Sequence, residues 1–200
     1  MNKGNFFSAK NVALLGIFTG LVIVLQLFAS AIPMFGVTLN FSLIPIALAS
    51  IMVGWLGGTI VGFVCGLVVF ITMAVMGQEP STAFLFQTNP LILTAMCIGK
   101  TTLAGLISGL LFSLIKKRSS VLAVGVSSIV IPVVNSGIYM LGMVLMKSSV
   151  AEFLGLDTTS AGVVFAVVFG IIWLNFLLEV AINTIFTPAI YRVIKVIDKR

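Results

Sequence analysis

Lys100 and Glu179 stand inside stretches that are otherwise almost wholly apolar, whereas nearly every other charged residue lies near a terminus or in a short break between such stretches. An ionisable group at bilayer depth costs roughly 2.5–3.5 kcal/mol on insertion scales, so it persists only when paired, wetted or set against a ligand. Two chemistries suit these residues. They can form an ion pair that staples two helices, an arrangement costly to build and weak as evidence of stability. Alternatively, Lys100 meets the carboxylate or phosphate of a solute while nearby amides donate to and accept from its hydroxyls or amides. The two uses can coexist.

Candidate amides accompany both charges. Asn175, Glu179 and Asn183 recur at i, i+4 and i+8, one polar stripe on a helix otherwise lined by Ile, Leu, Phe and Val, and such a stripe must face a bundle interior or a cavity. Counting 1.5 Å per residue from the basic clusters, Lys100 lies about 24 Å above Lys116, Asn135 about 25 Å above Arg118, Asn175 about 25 Å above Arg192 and Glu179 about 20 Å above Arg192. These side chains therefore reach a similar level and are expected to contact a polar or anionic solute in a pocket open to the outside. Asn40, beside Phe41, and Asn89, close to Phe84 and Phe86, join them as candidates at the outer helix ends, because amides next to aromatic rings are what a small-molecule site presents.

Other chemistries are disfavoured. The chain has no histidine, which removes the commonest general base, histidine metal ligands and the Ser-His and Cys-His nucleophile pairs. No nucleophile–base pair or acidic metal cluster replaces them, so no catalytic residue, metal site or cofactor is expected. Cys65 and Cys97 lie in apolar runs without CxxC spacing and read as small core residues. Gly99-Lys100-Thr101 resembles the end of a phosphate-binding loop, but Thr94 occupies the first glycine position, and a helix interior offers no free N–H groups to cradle phosphate. The protein itself is not expected to bind ATP.

The elements that must position these groups follow from composition. With 60% hydrophobic and 8% charged residues, the chain has too little polar surface to cover a soluble globule. It reads as an all-α integral membrane protein, one domain over residues 1–200. About 20 apolar residues cross a bilayer, and six transmembrane helices are predicted, over residues 12–31, 41–53, 59–76, 90–115, 121–146 and 161–191. The second is short and carries Pro45, so a simple crossing is not expected, and the segment 33–40 before it reads as an external loop able to fold over a pocket. The first run is followed by Ala29-Ser30-Ala31 but is too long for a signal h-region, and it is expected to be retained.

Charge sets the topology. The net charge of +6 gathers at Lys3 and Lys10, at Lys116, Lys117 and Arg118, and at Arg192, Lys195, Lys199 and Arg200, which places these clusters and both termini in the cytoplasm. No nucleic-acid partner is needed to account for it. Trp55 and Tyr191 then fall at cytoplasmic boundaries as interfacial anchors.

Glycines recur at four-residue spacing at 16 and 20, at 58, 62 and 66, and at 105 and 109, making flat faces on which helices approach closely. Internal packing accounts for most of them. Gly16 and Gly20, with Ala13 on the same face at the start of the bundle, are the exception expected to meet a partner.

Length, helix count, Gly16-x-x-x-Gly20 in the first helix, and the run Asn40-Phe41-Ser42-Leu43-Ile44-Pro45 leading into Gly54, Gly57, Gly58, Gly62 and Gly66 together resemble the S-component of an energy-coupling factor (ECF) vitamin transporter. The run is similar to the riboflavin-type branch. Two departures are that Gly replaces the usual Ala of the first-helix motif and that Gly57-Gly58 stands where a Gly-Pro is common. The resemblance implies a substrate-binding subunit of the cell membrane that captures a vitamin from outside. It further implies that Gly16 and Gly20 contact a transmembrane coupling subunit, which works with two ATPase subunits. The modest aromatic content, with Trp173 and Tyr139 as the possible stacking partners beyond Phe, leaves pantothenate as apt as riboflavin. An autonomous secondary transporter or channel, and a non-transporting scaffold, are the competing classes; no inverted repeat is detectable to favour the former.

Overall fold

The computed structural model describes residues 8–31, 40–156 and 161–198. The expected external loop over 33–40 lies outside the described residues except for Asn40. The helices are α1 (Ala9–Ala31), α2 (Leu43–Met52), α3 (Trp55–Val69, continued by a π-helical turn Phe70–Val75), α4 (Pro80–Thr88), α5 (Pro90–Ile115), α6 (Ser120–Leu145), α7 (Lys147–Phe153) and α8 (Ala161–Asp198). Among the described residues, five helices are long and apolar enough to cross a membrane, carried by α1, α3 with its π turn, α5, α6 and the Ile172–Arg192 stretch of α8.

α2 is the shorter apolar helix. Ten residues rise only about 15 Å, and the element is compensated by its surroundings, touching α1, α3, α5, α6 and α8. Pro45 does not interrupt it. The proline falls in the first turn, where its missing N–H would have had no intrahelical partner in any case.

The break after α2 is narrower than the run 54–58 expected from its glycines. Gly54, at φ 99°, makes the turn that an L side chain resists, and α3 begins at the next residue. Gly57 and Gly58 are buried inside α3 because they serve contact rather than chain reversal. A Cβ at Gly58 would meet the Ser50 hydroxyl and the Gly105 carbonyl, one at Gly62 the Thr101 carbonyl, and one at Gly66 the backbone of Ile98. α3 and α5 therefore touch backbone to backbone. Hydroxyls bind the same seam: Thr101 Oγ1 donates to Gly62 O at 2.7 Å, and Ser50 Oγ from α2 donates to Gly105 O at 3.0 Å. On the other side of α5, Ser108 Oγ donates to Ser127 O of α6 at 3.0 Å.

Two short helices were not expected from the sequence. α4 starts with Pro80 at its first position, and Glu79 accepts from Ser81 Oγ at 3.1 Å and Thr82 Oγ1 at 2.8 Å. α7 follows α6 after Met146. They meet through Phe84 and Phe153, whose ring centroids are 5.6 Å apart. α8 runs past the expected end at 191 to Asp198, with Pro188 inside it.

Candidate functional site

Glu179 is 2% exposed at the meeting of α6 and α8, and it is held entirely by uncharged donors. Ser136 Oγ donates to Oε2 at 3.1 Å, Asn135 Nδ2 to the same oxygen at 3.4 Å, and Asn175 Nδ2 to Oε1 at 3.4 Å. One turn on, Asn183 Nδ2 donates to the Glu179 backbone carbonyl at 2.9 Å. The i, i+4, i+8 stripe thus faces the bundle, as its polarity required.

Lys100 does not pair with this carboxylate. Its Nζ stands 4.8 Å from the centroid of the Tyr139 ring, a cation–π contact between α5 and α6, and no Lys100–Glu179 salt bridge forms. The ammonium still acts through space on Glu179, Cys65 and Cys97. A direct staple between the helices carrying them is absent, and among the described residues the half-buried ammonium has no counter-ion.

The remaining candidates divide. Asn40 is half-buried at the entrance to α2, and its Oδ1 is buried without a hydrogen-bond partner. Asn89, at the α4–α5 corner, has its amide engaged by Ser149 Oγ at 2.7 Å and Thr88 Oγ1 at 3.1 Å, tying α5 to α7. Trp173 is 47% exposed on the outside of α8, stacked on Phe169 and tilted against Phe176, with centroids 5.5 Å from each. It therefore belongs to an outward aromatic ladder rather than to the interior, whereas Tyr139 lies inside.

Sequence reasoning passed over three neighbours. Ser136 supplies the shortest bond to the Glu179 carboxylate. Gln26 of α1, buried at 4% exposure, accepts from Ser42 Oγ at 3.1 Å. Gln26 could have been found by the rule that singled out the asparagines, since it too is an amide alone in an apolar helix.

The buried Oδ1 atoms of Asn40, Asn135, Asn175 and Asn183 have no partner. A buried acceptor left so costs roughly 1–3 kcal/mol, and polar orphans of this kind mark a site completed by a ligand or by water. By contrast, Gly99-Lys100-Thr101 is ordinary helix within α5, with the Thr101 hydroxyl committed to α3, so it forms no phosphate cradle.

Residues 10–191 match the family model described as ECF transporter, substrate-specific component. The chain belongs to this family. A comparison with curated proteins finds no match. As an ECF substrate-specific component, the protein is a transporter subunit and not an enzyme, and its five candidate spans agree with a multi-pass membrane protein. Membership also implies association with the coupling and ATPase modules of an ECF transporter. The polar cluster of α6 and α8 holds buried acceptors without partners among the described residues, and Lys100 of α5 lies against Tyr139 of α6.

Proposed function

We propose that the protein captures a small vitamin or vitamin precursor, pantothenate-like or riboflavin-like, from outside the cell and delivers it with a transmembrane coupling subunit and two ATPase subunits. The observation that carries this reading is Lys100: a half-buried ammonium with no carboxylate partner among the described residues, on α5, which packs against α6 and its unsatisfied Asn135. A carboxylate such as pantothenate's completes the lysine, whereas a neutral riboflavin-like solute meets it with a carbonyl, and Asn135, Asn175, Glu179 and Asn40 contact the polar remainder. Asn89, with its amide held by Ser149, ties the start of α5 to α7 on the proposed outer side.

In this reading α2 is a sixth, short crossing surrounded by protein, and both termini are cytoplasmic. The basic residues Lys10, Lys116, Lys117, Arg118 and Arg192 then lie on one side, while α4 and α7 lie on the other, as the bias of cytoplasmic loops toward Lys and Arg requires. Purified alone in lipid vesicles and titrated with a vitamin panel by calorimetry, the chain is expected to bind one vitamin tightly and carry no flux. Flux by the chain alone would instead establish an autonomous transporter, and binding of no vitamin would leave a scaffold.

The α1 surface is the proposed contact with the coupling subunit. Ala13, Gly16 and Gly20 are exposed, a Cβ added at either glycine meets nothing within 4 Å, and Ile17 beside them is 58% exposed. Gly16→Leu with Gly20→Leu is expected to leave solute affinity unchanged while reducing coupled uptake at least about tenfold, because bulk on a small-residue face holds the partner helix away. Co-purification of the coupling subunit with wild type and variant checks this; equal recovery would place the contact elsewhere.

A further inference from the structure

The hydrogen-bonding polarity of the buried site is set by one residue. Glu179 can act toward its neighbours only as an acceptor when ionised, and it draws the N–H groups of Asn135 and Asn175 and the Ser136 hydroxyl onto its two oxygens. Its own carbonyl does the same to the Asn183 amide. Each of these three asparagines is thereby oriented: with Nδ2 turned to Glu179, Oδ1 must point away. All three Oδ1 atoms are buried and unpartnered, and Asn135 and Asn183 are only 4% and 1% exposed.

An asparagine ordinarily offers both a donor and an acceptor. Here one N–H of each amide is held inside the protein, and the atom left with no partner at all is the acceptor.

Resting on the function proposed above, we infer that the solute presents hydrogen-bond donors, hydroxyl or amino groups, to the Oδ1 atoms of Asn135, Asn175 and Asn183. Discrimination arises at the unpartnered Oδ1 atoms: a solute carbonyl placed against them meets partial charge of its own sign, whereas an aliphatic carbon placed there merely leaves them unsatisfied.

This predicts an order of affinities that size cannot produce. The probes are pantothenate and riboflavin, each compared with the analogue in which one secondary alcohol is a ketone and with the analogue in which it is CH2. Against the wild-type chain in vesicles, the bound parent is expected to be tightest, the CH2 analogue about tenfold weaker, and the ketone weaker still. The ketone is closer to the parent in shape and polarity, so ranking it last isolates the missing proton. In Glu179→Gln, the new side-chain amide allows Asn135 or Asn175 to turn over and offer N–H, and the gap between ketone and CH2 analogue is expected to close to within about threefold.

A ketone that binds as well as or better than the CH2 analogue overturns the inference while leaving vitamin capture intact. A gap that persists unchanged in folded Glu179→Gln overturns the role given to Glu179. Failure of both parents to bind removes the functional reading and this inference together. Thermal unfolding reports whether Glu179→Gln is folded, and if it is not, the wild-type order alone decides.

Discussion

Lys100→Met is expected to leave the bundle folded and to weaken binding of a carboxylate-bearing solute by about 10- to 150-fold. A hydrogen bond to a charged group is worth about 1.5–3 kcal/mol, and every 1.4 kcal/mol is about a factor of ten. Stability is expected to survive because no carboxylate is orphaned by the change. Glu179 keeps its Ser136, Asn135 and Asn175 donors, and methionine fills the space of the lysine stem. The cation–π contact with Tyr139 is lost, at about 0.5–2 kcal/mol, but so is the cost of holding an uncompensated charge at depth. The decisive comparison is between a carboxylate ligand and its carboxamide. Wild type should prefer the acid, and Lys100→Met should bind the two alike. Unchanged affinity of the variant for every carboxylate ligand would remove Lys100 from the site.

Gly105→Val should yield little folded protein. A Cβ at this position would press on the Gly58 backbone of α3, and a carbonyl within a helix cannot swing aside as a side chain does. Overpacking a core typically costs about 1–3 kcal/mol through adjustable side chains; here α3 and α5 must separate, which also breaks the Thr101–Gly62 and Ser50–Gly105 bonds. The expected result is loss of the monodisperse peak in detergent and of any cooperative thermal transition. Gly99→Ala is the matched control on the same helix. Its added Cβ meets nothing within 4 Å, and it is expected to be neutral or to stabilise by about 0.5–1 kcal/mol, since alanine is the better helix former. A folded Gly105→Val with wild-type stability would mean that the two helices do not touch as described.

What could be read without coordinates was governed by how unusual each residue is in its surroundings. A lysine, a glutamate or an asparagine in an apolar helix has few inexpensive places to go, so the gathering of Asn135, Asn175 and Glu179 around one level follows from depth alone. Azimuth is less forgiving. Each residue turns a helix by about 100°, and no count along the chain could tell that Lys100 would lie over Tyr139 rather than against Glu179.

Glycine carried two meanings that local sequence does not separate. At Gly54 it permits a backbone turn, whereas at Gly57 and Gly58, a few residues later, it permits close approach. Only the tertiary partner decides between them, and the start of α3 was misplaced for that reason. α4 and α7 escaped notice because helices of nine and seven residues show too few turns for a periodic pattern. Trp173 was drawn toward the interior by its capacity to stack, although the polar stripe of α8 already assigned the inward face to Asn175 and Glu179.

The π turn at the end of α3 changes what its sequence can tolerate in length. Met76 N bonds to Ile71 O at 2.8 Å, one residue farther back than an α-helix would reach. The turn is equivalent to one residue inserted into a regular helix, and it displaces the angular register of everything after it by about 100°. The Gly77 turn and α4 take their direction from that offset, which brings Phe86 edge-on to Phe70 with ring centroids 5.3 Å apart. Conservative substitutions within the segment preserve this phase, but deletion of a single residue would restore the regular winding and rotate α4 away. The segment is therefore indexed by number of residues more than by their identity.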